Sequence, residues 1–360
     1  MRRTRGRVIS IRSLADFDRR MAAGATRISG WRLHTLDLSE RSEDLARCRL
    51  AGASFLGCVF AEGDADRVRR SGALVVPAIT QLPVDVYRCE LYTAQELYDD
   101  PSYAHSLDAR AYAWSQQPFD QADALARTLH DHAIDEALAA WAKERDLVGV
   151  MGGHAAQRGQ PAYADAAWLG HALGQAHVVA TGGGPGTMEA ANLGGAFARR
   201  SLDELDEALA MLAGVPSFRP SVPAWALAAF EVRARFPDSA DSLGIPTWHY
   251  GHEPPNVFAT AIAKFFDNPA REALLLEVCD AGIVFLPGAG GTVQEVFQDA
   301  CENYYADETS VAPMVLVGTA YWTDEVPVWP LLRALARGRV MEPHIHLVDS
   351  IDEAAAVIGS

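Results

Sequence analysis

From residue 147 onward, short apolar segments alternate with longer stretches in which apolar residues recur at helical spacing. Each apolar segment has the length of a buried strand, and each intervening stretch is long enough to form a helix. This alternation is typical of βαβ units, which build a parallel sheet. The strand-like segments read LVGVM, HVVATGG, LGIPTW, AGIVFLPG, MVLVG and HIHLV. The pattern predicts an α/β fold over residues 147–360, with a Rossmann-like parallel sheet flanked by helices.

The helical stretches fall into two groups. Two of them, about 202–213 and 221–235, come between strands and predict a helical insertion at about 200–240, which could form a lid or an oligomer contact. Asn256 and Thr292 have the side chains that N-caps require. The other helices are predicted near 161–176, 185–199, 256–277, 291–304 and 326–338.

The first 140 residues follow a different pattern. Leu45, Leu50, Phe55 and Phe60 recur at intervals of five. This spacing resembles pentapeptide repeats, in which such residues stack inside a four-sided coil; chance periodicity in a short β-rich segment is the alternative. Four repeats make about one coil, and repeat units need neighbours to bury a core. We therefore expect residues 1–140 to form an accessory module that docks on the second half or on a partner chain.

Composition and charge limit the functions open to this chain. Its 360 residues carry a formal charge of −16, which argues against binding to nucleic acid or anionic membrane. No run of 18 apolar residues occurs, so no membrane span is expected. The five cysteines contain no C-x-x-C motif and predict reduced thiols in a cytoplasmic protein. The sequence HDH at 130–132 lacks further ligands at suitable spacing, so we expect solvated histidines and no metal.

Two glycine-rich turns carry the strongest chemical signal. Each follows a strand-like segment and precedes a helix, so its backbone N–H groups and the helix dipole can bind an anion such as phosphate. Both turns lie at the carboxyl edge of the predicted sheet, where open α/β sheets bind ligands. No P-loop motif is present. The predicted phosphate and nucleotide ligands are Gly182, Gly183, Gly184 and Gly186 in the first turn and Gly288, Gly290, Gly291 and Thr292 in the second.

These two turns resemble a known pair of signatures. The segments TGGGPGTMEAAN (Thr181–Asn192) and PGAGGTVQE (Pro287–Glu295) resemble those of the Lonely Guy family of nucleoside 5′-monophosphate phosphoribohydrolases, long mislabelled lysine decarboxylases. The second family signature reads P-G-G-x-G-T-x-x-E, and Ala289 replaces one of its glycines. The segment EPPN (Glu253–Asn256) is similar to larger bacterial purine and pyrimidine nucleotide nucleosidases of that superfamily. The resemblance covers about residues 147–350.

The resemblance implies a homodimer or higher homo-oligomer that needs no cofactor. It also implies an Arg-Lys pair on the helix before the second signature. Arg271 falls at the arginine position when counted back from Asp280, and counting back from Pro287 shifts the register by one. The lysine position is occupied by Glu272, which makes the site less positive. Arg271 would bind phosphate or ribose hydroxyls, and an ion pair with Asp267 is its ordinary alternative.

Three further side chains are candidates. Glu295 lies one helical turn beyond the second glycine turn, where a carboxylate can stabilise an oxocarbenium-like ribosyl cation or activate water. Its alternative is a T-x-x-E capping box with Thr292. Glu189 is placed similarly after the first turn, where it would border the nucleotide or only complement the helix dipole. His154 closes the first strand and would contact the base; a plain loop histidine is the alternative.

These residues lead to two hypotheses. The first is a nucleoside-5′-monophosphate phosphoribohydrolase that acts on an AMP-like nucleotide and releases free base and ribose 5-phosphate. Its catalytic residues would be Glu295, Arg271 and Glu189. The second is a non-hydrolytic nucleotide or cofactor carrier or sensor on the same scaffold, suggested by Glu272 and by the inserted helices.

Overall fold

The computed structural model describes residues 8–79, 81–118, 120–249, 251 and 253–359. The chain forms two compact units. The first unit holds the described residues of Met1–Cys89 and Asp120–Ala133, and the second holds those of Glu90–Phe119 and Ile134–Ser360.

The first unit contains a parallel sheet whose strands follow chain order, β1-β2-β3-β4. A helix connects each strand to the next, and helix α6 contributes residues to both units. The elements are β1 (Ile9–Ile11), α1 (Leu14–Ala22), β2 (Trp31–His34), α2 (Ser42–Arg47), β3 (Ser54–Leu56), α3 (Asp64–Arg70), β4 (Leu74–Val76) and α6 (Gln121–Ala142).

This sheet is a short solenoid with a period of about 22 residues. Ile9 pairs with Trp31, and Arg32 pairs with Ser54, so the first three strands place residues 22 positions apart side by side. The last step is slightly shorter, since Ser54 pairs with Leu74. Ile11, Leu33 and Phe55 therefore stack on one another in the core, each with no exposed surface. Stacking of similar turns buries a continuous core, as in other repeat proteins.

A column of glycines marks the corners before strands β2, β3 and β4. Gly30, Gly52 and Gly72 all have left-handed backbone angles, with φ of 81°, 80° and 86°. The N–H of Gly30 donates to the carbonyl of Gly52, and the N–H of Gly52 donates to the carbonyl of Gly72. The same corner is therefore repeated from turn to turn, at a position that residues with a Cβ rarely adopt.

The interval of five within residues 45–60 does not form a pentapeptide coil. Leu45 lies in helix α2 and Phe55 in strand β3, so these residues occupy different kinds of element within one 22-residue turn. Leu45, Leu50 and Phe55 are nevertheless buried together, and Phe60 packs against them. The periodic residues were thus correctly placed in a core, but the coil predicted from them was wrong.

His130 also differs from the expectation of solvated histidines. Its side chain has no exposed surface, and its Nδ1 lies 2.9 Å from Oδ1 of Asp131. Burial lowers the pKa of His130, whereas Asp131 opposes this shift. His132 is exposed. One histidine of the HDH sequence is therefore part of the core.

The second unit is built on a parallel sheet of seven strands in the order β11-β10-β9-β5-β6-β7-β8. Its strands are β5 (Leu147–Met151), β6 (Val178–Thr181), β7 (Ser242–Gly244), β8 (Ala261–Ile262), β9 (Ile283–Phe285), β10 (Met314–Val317) and β11 (Ile345–Val348). Its helices are α4 (Ala94–Leu97), α5 (Leu107–Ser115), α7 (Pro161–Leu173), α8 (Thr187–Ala196), α9 (Leu202–Ala213), α10 (Val222–Arg235), α11 (Asn268–Glu277), α12 (Gly290–Tyr305), α13 (Val328–Ala336) and α14 (Ile351–Ile358).

This architecture confirms the predicted fold class, a Rossmann-like parallel sheet flanked by helices. All six predicted strands are present, and helices α9 and α10 form the predicted insertion. Within the described part of the chain, no helix is both long enough and apolar enough to cross a membrane.

One helix boundary was predicted incorrectly. The helix expected over 256–277 begins only at Asn268, and strand β8 lies within the preceding segment. Residues 257–266 are almost entirely buried, so their apolar run has no polar face to distinguish a strand from a helix. Asn256 is not an N-cap of a helix; its buried side chain accepts the N–H groups of Phe258 and Ala259.

The solenoid core can be tested at Leu33. We expect Leu33→Ala to lower the free energy of unfolding of this unit by about 2–5 kcal/mol, because it leaves a cavity between stacked turns. Leu74→Ala is the control, since the Leu74 side chain is 58% exposed. Hydrogen exchange of the β2 and β3 amides measures the change. Equal effects of the two substitutions would contradict the stacked core.

Candidate functional site

The order of strands reverses at β5, which pairs with β6 on one side and with β9 on the other. Open α/β sheets bind ligands at such a switch point, outside the carboxyl ends of the strands. A cavity of about 990 Å³ lies there. Its walls include Gly152, Gly153, His154, Asp165, Thr187, Met188, Arg271, Glu272, Pro287, Gly288, Ala289, Gly291, Thr292, Glu295, Gly318, Tyr321, Asp349 and Ser350.

The second glycine turn packs closely against the loop after β5. The N–H of Gly153 donates to the carbonyl of Pro287 at 3.2 Å, and the Tyr321 hydroxyl donates to the carbonyl of Gly288 at 2.7 Å. A Cβ on Gly288 would lie 2.2 Å from Oγ1 of Thr292. Glycine at position 288 is therefore required by the fold itself.

At positions 290 and 291, by contrast, the fold itself does not require glycine. A Cβ at either position would meet no other atom within 4 Å, and neither residue has a left-handed φ. Both lie in the first turn of α12, where glycine is less stable than alanine by about 0.5–1 kcal/mol. Both are exposed, and Gly291 lines the cavity. Open space beside these two backbones leaves room for a ligand to approach.

Helix α12 begins without a side-chain cap. Its N-cap is Ala289, so the prediction of Thr292 as N-cap was wrong: Thr292 is already inside the first turn. The first N–H groups of a helix lack partners within the helix and carry the positive end of its dipole. This end of α12 therefore presents unsatisfied donors at the cavity.

Arg271 and Glu295 face one another across the cavity wall. Nη1 of Arg271 lies 4.0 Å from Oε1 of Glu295, and the two side chains are only 11% and 13% exposed. The guanidinium is anchored by main chain, since Nε donates to the carbonyl of Ile245 at 2.7 Å and Nη2 to that of Gly182 at 3.4 Å. Because Ala289 is the N-cap, the capping-box alternative for Glu295 does not apply.

Burial raises the pKa of the Glu295 carboxyl from an ordinary 4.5 to about 7. The positive charge of Arg271 opposes the shift, and the carboxylate of Glu272 adds to it. A carboxyl group with a pKa near neutrality is suited to exchange protons in a reaction.

Glu272 joins α11 to α12. Its Oε1 accepts the amide of Asn268 at 2.6 Å, and its Oε2 accepts the amide of Gln294. The residue is 7% exposed, and its Oε1 lies 3.9 Å from Nη1 of Arg271. The negative charge at this position therefore sits in the wall beside the guanidinium.

The first glycine turn has a different environment. Gly182, Gly183, Gly184 and Gly186 are buried and do not line this cavity, to which the following helix contributes Thr187 and Met188. Gly183 and Gly186 have left-handed φ of 72° and 77°. The Gly182 carbonyl accepts a hydrogen bond from Arg271, which does line the cavity. The first turn therefore supports the cavity wall and does not form its surface.

A buried polar network holds the first turn in place. The Thr181 hydroxyl donates to Oδ1 of Asn192 at 2.6 Å and accepts the N–H of Gly183 at 2.9 Å. Asn256 donates to Oδ1 of Asn192 at 2.9 Å and to the carbonyl of Gly184 at 3.2 Å. Buried polar groups satisfied in this way fix a single arrangement of the backbone.

Glu189 lies outside the 990 Å³ cavity. It forms a buried ion pair with Arg158, at 2.5 Å from Nη2 and 3.1 Å from Nε. The Arg158 guanidinium lies over the Trp225 ring, 4.7 Å from its centroid, and thereby connects α8 to the inserted helix α10. The sequence analysis missed Arg158, because no motif surrounds it. The available signal was indirect: if Glu189 is buried, its carboxylate needs a cation as partner.

His154 lies between two cavities. It borders the large cavity and a smaller one of about 290 Å³, which Gly186 and Glu189 also line. Its side chain is 62% exposed, and its Nδ1 lies 3.6 Å from Oε1 of Glu253. In the described part of the chain, no group of three or more His, Cys, Asp or Glu side chains is arranged to hold a metal ion.

The raised pKa of Glu295 predicts a stability difference that depends on pH. A carboxyl whose folded pKa exceeds its unfolded value stabilises the fold below about pH 4.5 and loses this contribution as pH rises through about 7. Glu295→Gln stays neutral, so it should be more stable than wild type by up to about 3 kcal/mol at pH 8 and by less than about 1 kcal/mol at pH 5. Urea unfolding at both pH values measures this; a difference independent of pH would contradict it.

Comparisons with known proteins give similarities of fold. No family model and no curated protein matches the sequence. The molybdenum cofactor binding protein from the phototrophic bacterium Rippkaea orientalis is 18% identical, covering 60% of this chain and 96% of that one, with a TM-score of 0.37. The molybdenum cofactor carrier protein from Chlamydomonas reinhardtii is 17% identical, covering 60% and 97%, with a TM-score of 0.36. The structural genomics target TM1055 is 20% identical, covering 59% and 98%, with a TM-score of 0.38.

Proposed function

We propose that this protein hydrolyses the N-glycosidic bond of a nucleoside 5′-monophosphate, giving free base and ribose 5-phosphate. The observation that carries the proposal is the position of Glu295. Its carboxyl group lies in the same cavity as the uncapped, glycine-rich start of α12, one helical turn away from it.

The start of α12 is the proposed phosphate site. The amides of Gly290, Gly291 and Thr292 lie in its first turn, and the space beside both glycines is open. A phosphate there would accept hydrogen bonds from these amides and interact favourably with the helix dipole. The ribose would then extend along the wall toward Glu295.

Glu295 would serve the bond-breaking step. As the C1′–N bond lengthens, its electron pair moves to the base nitrogen and positive charge develops on the ribose, which a nearby carboxylate stabilises. The same carboxylate can take a proton from the water that adds to C1′, and this proton ends on the departing base nitrogen, so that neutral base and ribose 5-phosphate are released. Arg271 would position this carboxylate and favour its charged form.

The other predicted site residues, apart from Glu189, have supporting roles in this proposal. Gly182 supplies the carbonyl that holds Arg271, and the network around Gly183 and Gly184 fixes that carbonyl. Glu189 is engaged with Arg158 and has no part in the proposed hydrolysis. His154, an exposed residue that lines the cavity, would contact the base.

The second candidate is a non-hydrolytic nucleotide or cofactor carrier or sensor. Glu272 favours it, because a carboxylate beside Arg271 weakens the positive field available to an anionic reactant. A carrier would bind the same nucleotide and release no base.

We also propose that the protein is a cytoplasmic homodimer or higher homo-oligomer. Exposed apolar side chains support self-association, since Leu331 and Leu335 on α13 are 59% and 38% exposed and Tyr305 at the end of α12 is 81% exposed.

Base release separates the two candidates. Wild type, incubated with AMP, GMP, CMP and UMP, should release free base from at least one of them, measured by chromatography. Glu295→Gln should lower turnover by about 10²–10³-fold with little change in affinity. Glu302→Gln is the matched control, because Glu302 is an exposed residue of the same helix. Binding without base release by wild type would favour the carrier.

The phosphate site is tested at its glycines. Gly291→Ala should raise the melting temperature slightly, because alanine is the better helix former, and should weaken AMP binding because its methyl group occupies the open approach. Gly288→Ala should instead destabilise the fold through its clash with Thr292. Differential scanning fluorimetry with and without AMP measures both effects. Unchanged AMP affinity in Gly291→Ala would place the phosphate elsewhere.

A further inference from the structure

The titratable side chains in the walls of the large cavity are predominantly acidic. Among the residues that the structure describes, the walls carry four carboxyl groups and one guanidinium, that of Arg271. His154 is the other basic side chain among these lining residues. Even with Glu295 protonated, three carboxyl groups face one guanidinium. The carboxyl groups belong to Asp165, Glu272, Glu295 and Asp349.

The nitrogens of the Arg271 guanidinium already have partners within the protein. Two of its nitrogens donate to main-chain carbonyls, and the third lies 3.9 Å from Glu272 and 4.0 Å from Glu295. Its charge is therefore balanced within the wall. The field that a ligand meets away from the start of α12 is set by the carboxyl groups.

Two of these carboxyl groups lie away from the proposed phosphate site. Asp349 follows β11, which is two strands away from β9 in the sheet order, so the ends of these strands are about 10 Å apart. Hydrogen bonds from the backbone N–H and from the side chain of Thr319 lower the pKa of Asp349, which keeps it ionised. Asp165 is an exposed residue of α7 that also lines the cavity. A nucleotide with its phosphate at α12 can thus direct its base toward acidic side chains.

We infer that the nucleotide bound at this site carries a cationic base, such as a pyridinium ring or an N-alkylated purine. This inference rests on the proposed hydrolytic function. A cationic ring is attracted by the carboxylates of the wall, whereas a neutral base gains no such interaction. The phosphate end remains at the backbone donors of α12.

The chemistry of such a substrate suits these residues. When the C1′–N⁺ bond breaks, its electron pair neutralises the ring, so the base departs uncharged and needs no proton. Water adds to C1′, and its proton passes to the Glu295 carboxylate. The products are ribose 5-phosphate, a neutral base and one proton, so atoms and charge balance.

The test uses one nucleotide in two charge states. Nicotinamide mononucleotide has a cationic ring when oxidised and a neutral dihydropyridine ring when reduced, with the same ribose phosphate. We use the full-length Glu295→Gln protein, because its turnover should be slowed by about 10²–10³-fold and either form should stay largely intact during the measurement. We expect this protein to bind the oxidised form at least about tenfold more tightly by calorimetry. In that background Asp165→Asn should reduce this ratio several-fold. Asp203→Asn, an exposed change on α9 outside the cavity, should leave it unchanged.

The outcomes distinguish this inference from the function on which it rests. Equal affinity for the two forms, with base release from AMP by wild type, would overturn the cationic-base inference and leave the hydrolase intact. A ratio insensitive to Asp165→Asn would also overturn it, because the preference would then come from elsewhere. Absence of base release from every mononucleotide, oxidised nicotinamide mononucleotide included, would overturn both.

Discussion

The anchoring of Arg271 by two main-chain carbonyls determines the geometry of the candidate site. One carbonyl belongs to Gly182, just after β6, and the other to Ile245, just after β7. The side chain that reaches them comes from α11, so one guanidinium connects two strand ends to a helix. Its remaining nitrogen faces Glu295 on α12. The glycine turn after β6 thus acts on the cavity indirectly, through the cation that it holds.

Glycines that are alike in the sequence have different roles in the structure. Gly288 is fixed by a close neighbour within the fold, and Gly183 by its left-handed backbone. Gly290 and Gly291 meet neither constraint. A motif alone cannot separate these cases, because the deciding facts are the backbone angle and the nearest atom. The contrast favours the proposed ligand contact at the second turn and a supporting role for the first.

Sequence patterns predicted the sheet and both ends of helix α9, because local periodicity and capping residues determine these features. They failed at residues 257–266, where burial on every side removes the contrast between polar and apolar faces. They also missed the partnership of Glu189 with Arg158, since residues 31 positions apart meet only through packing. In the first unit, the stacked residues Ile11, Leu33 and Phe55 differ in type, which concealed the 22-residue period. The proximity of Arg271 to Glu295 likewise depends on tertiary structure.

The 22-residue period of the first unit constrains how its length can vary. Removing or adding one full period would return each strand, each left-handed glycine and each inward side chain to an equivalent position. A change of a few residues would instead shift the ladder and turn core side chains toward solvent. This part of the chain can therefore grow or shrink by whole turns, whereas the seven-stranded sheet, whose order reverses at β5, has no equivalent unit to duplicate.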